Sequence, residues 1–334
     1  LESAEGRLIN DKTVSFIYDS LFLFPKATSQ FAKTVLSPVT HARNFFSAAT
    51  FQTANGIWFE NPKMLAKAWS DAMGALQPQA LKSNTAAANE LYRELLEMGV
   101  VNSNVRMQDI SRLMGDIKWG NRITTDRAMR MMLKPNWAKK MAKFGQDMYV
   151  AEDDFWKISN WVMENYRYKN AYKNAFAKGL IKEMPSDKAI KQMAADITRN
   201  TVPNYNYVPE FIRKLRRLPV GNFVSFPAEI LRTATGIVHQ GIKEINDPIL
   251  RGIGMKRLAG FGLTTAIVPP ATVELFKTIY DFTSEELEAL KRFLPEWSRN
   301  STILPMRDDE GNIKYIDFSH GFAYDTITRP IQTV

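Results

Sequence analysis

Between Ser225 and Asp247 the sequence SFPAEILRTATGIVHQGIKEIND places apolar or small residues at Ile230, Ala234, Ile237, Gly241 and Ile245. Steps of three and four put these residues on one side of an α-helix and scatter them on a strand. Leu231, Val238 and Ile242 widen the apolar face beyond what a surface helix carries, so neighbouring helices must cover it. Ala234 and Gly241 on this row have little or no side chain, which predicts that another helix packs closely there. Pro248 closes the segment.

The residues just before it, NYNYVPEFIRKLRRLPVGN, predict a shorter helix. Pro209 suits a first helical turn, Phe211, Leu215 and Leu218 recur on one face, and Pro219 and Gly221 end the run. Arg213, Lys214, Arg216 and Arg217 fall on the opposite face, a candidate contact for nucleic acid or a protein partner. A solvated helix face accounts for them equally well.

Elsewhere the chain repeats one grammar, a cap or proline followed by a helical apolar row. Ser37 and Pro38 open a helix whose inward face is predicted to be Ala42, Phe45, Phe46 and Ala49. Asn61 and Pro62 open another with Leu65, Ala68, Trp69 and Ala72 inward, and Asn84 to Met98 carries Leu91, Leu95 and Met98 with Gly99 as its stop. Glu152 to Lys178 is the longest helical pattern, opened by Glu152, Asp153 and Asp154 where a helix dipole favours acids. Ser186 to Asn200 follows. The run LAGFGLTTAIVPPATV, Leu258 to Val273, has no charge but falls short of a membrane span and should be broken by Pro269 and Pro270. Thr283 to Glu286 reads as a capped helix start, and TILPMRDDEGNIKYIDFS as a β-hairpin turning at Asp308 to Asn312.

The expected fold is therefore all-α, an elongated multi-helix bundle with one small C-terminal β-hairpin. Its expected divisions are 1–82, 83–200, 201–300 with the central helix pair and apolar segment, and 301–334. With 334 residues there is material for a sizeable core. Cysteine is absent, so packing alone must hold the fold. The net charge of +9 favours nucleic acid, anionic lipid or acidic protein without choosing among them.

No chemistry stands out. His41, His239 and His320 form no zinc pattern, and no nucleophile elbow, dinucleotide fingerprint or P-loop occurs. The expectation is no catalytic, cofactor-binding or metal residues in this segment.

Five stretches, KTVLSPVTHARNFF, AEDDFWKISNWVMENYRYKNA, NFVSFPAEILRTATG, RGIGMKRLAGFG and EWSRNSTI with GNIKYIDFSHGFAYD, resemble the large polyvalent protein-associated domains of bacteriophage polyproteins and internal virion proteins. The resemblance implies a structural internal virion protein of a tailed phage, packed in the capsid near the portal and ejected with the genome to help DNA through the host envelope. It implies no catalytic residues here and a segment of a longer chain. Partners expected are other virion proteins, portal or ejection proteins, further copies of the chain, packaged DNA, and the host envelope after ejection. The alternative is a non-catalytic accessory segment of a phage-delivered DNA-acting enzyme, an antirestriction factor or virion polymerase. Lys139, Lys140 and Lys143 would then join the four cations above in a basic groove.

Overall fold

The computed structural model describes residues 38–80, 86–101, 136–204, 225–299, 301–308, 310–320 and 322–325. Of these, 75% are helical and a single antiparallel hairpin is the only sheet described. The helices are α1 (Pro38–Ala54), α2 (Pro62–Ala80), α3 (Ala86–Glu97), α4 (Asn136–Ala177), α5 (Asp187–Thr201), α6 (Ser225–Asn246) and α7 (Arg251–Gly262), followed by α8 (Val268–Ile279), α9 (Ser284–Phe293) and α10 (Glu296–Arg299). Strands β1 (Ile303–Arg307) and β2 (Ile313–Asp317) pair from Ile303 with Asp317 to Arg307 with Ile313.

Helix ends follow the local chemistry. Ser186 caps α5 by accepting from the Ala189 amide at 3.2 Å, and Thr283 with Glu286 forms a reciprocal capping box on α9. α3 stops where Gly99 takes φ 69°, so that Val100 donates back to the Leu95 carbonyl at 2.9 Å.

Helix α4, 42 residues and roughly 63 Å at ~1.5 Å per residue, serves as a shared strut. On one side α2, α3 and α5 bury Ala68, Ala72, Leu95, Ala194 and Ala195 against Ile158, Val162 and Met163. Further along, Tyr168 meets Ile190, Ile197, Leu250 and Ile253. A separate core gathers Phe51, Ile230, Ala234 and Ile237 around Phe322 and Tyr324. Leu287, Leu294 and Ile303 make a small core joining α9 to the hairpin.

Four local expectations are corrected. Leu231 and Ile242, expected to lie under neighbouring helices, are exposed on α6, so its covered face is the narrower row Ile230, Ala234, Ile237 and Gly241. The acids at 152–154 do not open a helix: α4 begins at Asn136, and Asp154 is buried within it. The inward residues of α1 are Phe51, Gln52 and Ala54, with Asn55 just past its end, whereas Phe45 and Phe46 stand 49% and 65% exposed. Gln52 and Asn55 turn inward because both find buried partners, the Ser159 hydroxyl at 2.9 Å and the Thr201 carbonyl at 3.3 Å. Finally, Pro269 and Pro270 do not break the apolar run. A π-turn over Leu263–Ile267 carries the helix into α8, with both prolines in the first turn after the change of pitch.

Candidate functional site

Where α1, α4, α6 and α7 meet, the interior is ionic instead of apolar. α7 approaches its neighbours through glycine. A Cβ on Gly254 would lie 2.6 Å from the Gly241 carbonyl oxygen, and one on Gly260 would lie 2.2 Å from the Thr53 oxygen and 2.7 Å from the Gly56 backbone. This proximity shuts water out of the junction around Arg257, which is fully buried.

All five guanidinium N–H groups of Arg257 are used. Its Nε and Nη2 donate to Glu244 at 2.9 and 2.8 Å, Nη1 and Nη2 donate to the two oxygens of Glu164 at 2.9 Å each, and Nη1 also reaches Asn55 Oδ1 at 2.7 Å. The planar fork of arginine matches two carboxylates side by side, a geometry lysine cannot supply. Tyr168 Oη and Gln240 Nε2 donate to Glu244 Oε1 at 2.8 and 2.9 Å. Glu164 also accepts from Arg167 Nη1 at 3.1 Å. Arg167 then donates to the carbonyls of Asn55 and Gly56 at 3.0 and 2.9 Å, and to Glu60 at 2.9 Å. Lys256 closes the set on the other Glu60 oxygen at 2.8 Å.

Three acids, Glu60, Glu164 and Glu244, thus face three bases, Arg167, Lys256 and Arg257, and the junction is electrically neutral. Burial alone would push the Glu244 carboxyl up, but Arg257 and the donated hydrogen bonds hold it below the usual carboxylate range. Glu60 is likewise held low against its burial by Arg167 and Lys256. Burial raises the Tyr168 phenol, so it stays a donor. An open cleft of ≈ 460 Å³ borders the outer rim, with Glu60, Arg167 and Lys256 beside Asn170, Asn174 and Ile253. Such an arrangement fixes helix register; its carboxylates are saturated and present no free base.

Of the residues singled out from sequence, Ala234 lies 6% exposed in the Tyr324 core, and Gly241 is buried against Leu258 and Gly254. A Cβ on Gly241 would lie 2.5 Å from Leu258 Cδ2, so Gly241→Leu is expected to cost ~1–3 kcal/mol, read as a lower urea midpoint. Arg213, Lys214, Arg216 and Arg217 lie outside the described residues, as do the side chains of Lys139, Lys140 and Lys143. His239 is exposed on α6, and among the described residues no group of three His, Asp or Glu is placed to hold a metal ion.

Sequence reasoning missed the junction. Its trace is the spacing Gly254, Arg257, Gly260, which puts a guanidinium between two glycines on one helix face. The other trace is a polar row, Asn160, Glu164 and Arg167, between the apolar rows of α4.

A second buried charge lies elsewhere on α4. Asp154 is 3% exposed and accepts from Tyr92 Oη at 2.7 Å. Burial raises its carboxyl to about 7, with Asp153 adding to the rise and Lys157 opposing it. A folded value above the unfolded one means that its contribution is full below about pH 4 and fades as pH climbs towards 7. Asp154→Asn should therefore exceed the wild type in stability by ~4 kcal/mol at pH 8 and match it near pH 4. Denaturation curves at both pH values check this; equal stability throughout would mean the carboxyl is not desolvated.

Comparison with protein-family profiles, curated proteins and solved structures finds no match to this chain.

Proposed function

We propose that the chain is a non-catalytic structural segment of an internal virion protein of a tailed phage. It is packed near the portal with other virion proteins and further copies of itself, and leaves with the genome to help DNA across the host envelope. The observation that supports this reading is where the resembling residues fall. AEDDFWKISNWVMENYRYKNA supplies Glu164, Arg167 and Tyr168, and RGIGMKRLAGFG supplies Arg257 with Gly254 and Gly260. Two of the stretches that carry the likeness thus supply Glu164 and all three bases of the junction, Glu60 and Glu244 lying outside them, and in a framework segment those are residues whose type matters.

Mass spectrometry of purified particles, before and after triggered ejection, tests the proposal. The chain should be present in full particles and depleted from emptied ones; detection only in infected cells, never in particles, would overturn it. The DNA-acting alternative is separated by the basic helix predicted over Phe211 to Leu218. If Arg213, Lys214, Arg216 and Arg217 contact phosphates, log affinity falls with log salt by up to ~0.9 per contact. Reversing the four charges would then flatten that slope. The expected result is binding no tighter than the non-specific ~10⁻⁴–10⁻⁶ M range, unchanged in the reversed variant.

A further inference from the structure

Near its C-terminal end α4 carries a tandem tetrapeptide, Tyr168-Lys169-Asn170-Ala171 followed by Tyr172-Lys173-Asn174-Ala175. A period of four is about one helical turn, so each position of the repeat becomes a row along the helix. The tyrosines pack with Ile190 and Leu250, and Lys169 and Lys173 stand in solvent. The asparagines and alanines line the open cleft of ≈ 460 Å³, to which the link before α7 and α7 itself contribute Ile249 and Ile253. Ala171 and Ala175 are too small to fill it. Both asparagines are exposed. Asn174 has no side-chain partner among the described residues, and Asn170 donates to a weak acceptor, Met64 Sδ, at 3.7 Å. Lys178, next in the same row and also lining the cleft, has no acid in ion-pair reach among the described residues.

We propose that this cleft binds a peptide segment in extended conformation, its main chain held by Asn170 and Asn174 and a carboxylate set against Lys178. A carboxamide carries an N–H donor and a C=O acceptor, the same pair that a peptide group offers. Positions one turn apart on α4 are ~6.0 Å apart along the axis, and alternate residues of an extended chain repeat every ~6.6 Å, so both carboxamides can pair with one strand. Side chains of that strand then meet the apolar residues of the cleft, the usual division of labour when a peptide is bound extended. Charge sets its end. Glu60, the one acid among the residues lining the cleft, is taken up by Arg167 and Lys256, which leaves Lys178 as the surplus cation. Other ligand classes fit less well. A lipid tail would leave the row of carboxamides unpaired, and a nucleic-acid strand would find no aromatic ring among the lining residues to stack on. A cleft of this volume takes a few residues of a chain, as small-ligand sites do. Binding of this kind needs no phage particle, so it stands or falls apart from the virion reading.

The test is fluorescence anisotropy of the whole chain with an amino-terminally labelled tetrapeptide, Ala-Val-Ala-Val, bearing a free C-terminal carboxylate. Recognition through the main chain makes this plain apolar sequence a sufficient probe. The wild type should bind it saturably, and Asn170→Ala and Asn174→Ala should each weaken binding roughly ten-fold. Both side chains are exposed, so far-UV circular dichroism should be unchanged. Lys178→Ala should weaken the carboxylate peptide by a similar factor and leave its C-terminal amide analogue unaffected. Lys173→Ala, in the neighbouring solvent row, should alter neither. The peptide N-methylated at every residue should not bind. Absence of saturable binding by the wild type would overturn the proposal, as would undiminished binding by both asparagine variants. Equal binding of the N-methylated peptide would overturn main-chain recognition, and equal binding of the carboxylate and amide peptides would overturn the place given to Lys178. A dimer in sedimentation equilibrium that Asn174→Ala abolishes, without peptide binding, would assign the cleft to a second copy.

Discussion

Replacing Arg257 with leucine should lower the stability of the fold by about 3–5 kcal/mol, because the Glu164 and Glu244 carboxylates would be left face to face in a dry interior with only Arg167, on Glu164, to offset two charges. The loss has a characteristic pH dependence. In the wild type the Glu244 carboxyl is held low, so its contribution is present above the unfolded value near 4 and disappears as pH falls below that. In Arg257→Leu the Glu244 carboxyl loses the cation that outweighs its burial and takes up a proton on folding, so the deficit should be largest at neutral pH and shrink towards pH 4. Urea denaturation at pH 7 and pH 4.5 measures both. A deficit below about 1 kcal/mol, or one independent of pH, would mean that water reaches the junction. Adding Glu164→Leu and Glu244→Leu to Arg257→Leu should recover much of the loss, since an apolar set of similar volume carries no desolvation cost.

Gly260→Ala should be nearly as damaging. Its methyl group would lie 2.2 Å from the Thr53 carbonyl oxygen and 2.7 Å from the Gly56 nitrogen and Cα, and backbone cannot rotate away as a side-chain tip can. The helices must part, at a cost of about 3 kcal/mol, and the separation admits water to Arg257. Gly262→Ala is the matched control on the same helix. A methyl group there meets nothing within 4 Å, so helix propensity should dominate and stability should stay level or rise by ~0.5–1 kcal/mol. Equal effects of the two substitutions in thermal or urea melts would mean that close approach is not what position 260 supplies.

The fold was largely legible because its elements obey local rules. The row Ile230, Ala234, Ile237 does face a core, Thr283 and Glu286 do close a capping box, and the turn at Asp308 to Asn312 does join two strands. Local rules failed where a side chain's fate depends on a partner far away in sequence. Asp154 fits a helix start in isolation, but Tyr92 gives it a buried place mid-helix. Phe45 and Phe46 have the look of core residues, yet among the described residues α4 meets them in an edge contact, Phe45 to Trp156 at 5.1 Å between centroids, that leaves both exposed. The junction was invisible for the same reason. Glu164, Glu244 and Arg257 are 80 and 13 residues apart, and nothing nearby in the chain marks them as mutual partners. Hydrophobic periodicity reports burial of apolar groups, and a buried charge has no such signature.

The neutral count of three acids and three bases constrains how this sequence can drift over generations. A single change at Glu164, Glu244 or Arg257 strands an opposite charge in a site without water, whereas a coordinated change of several need not. Substitution there should therefore travel in pairs, with a neutral residue at 257 accompanied by a neutral residue at 244, which leaves Glu60 and Glu164 to Arg167 and Lys256. Intermediates would survive only in backgrounds with stability to spare. Surface lysines such as Lys67, whose partner Asp71 sits in reach of solvent, should exchange one at a time.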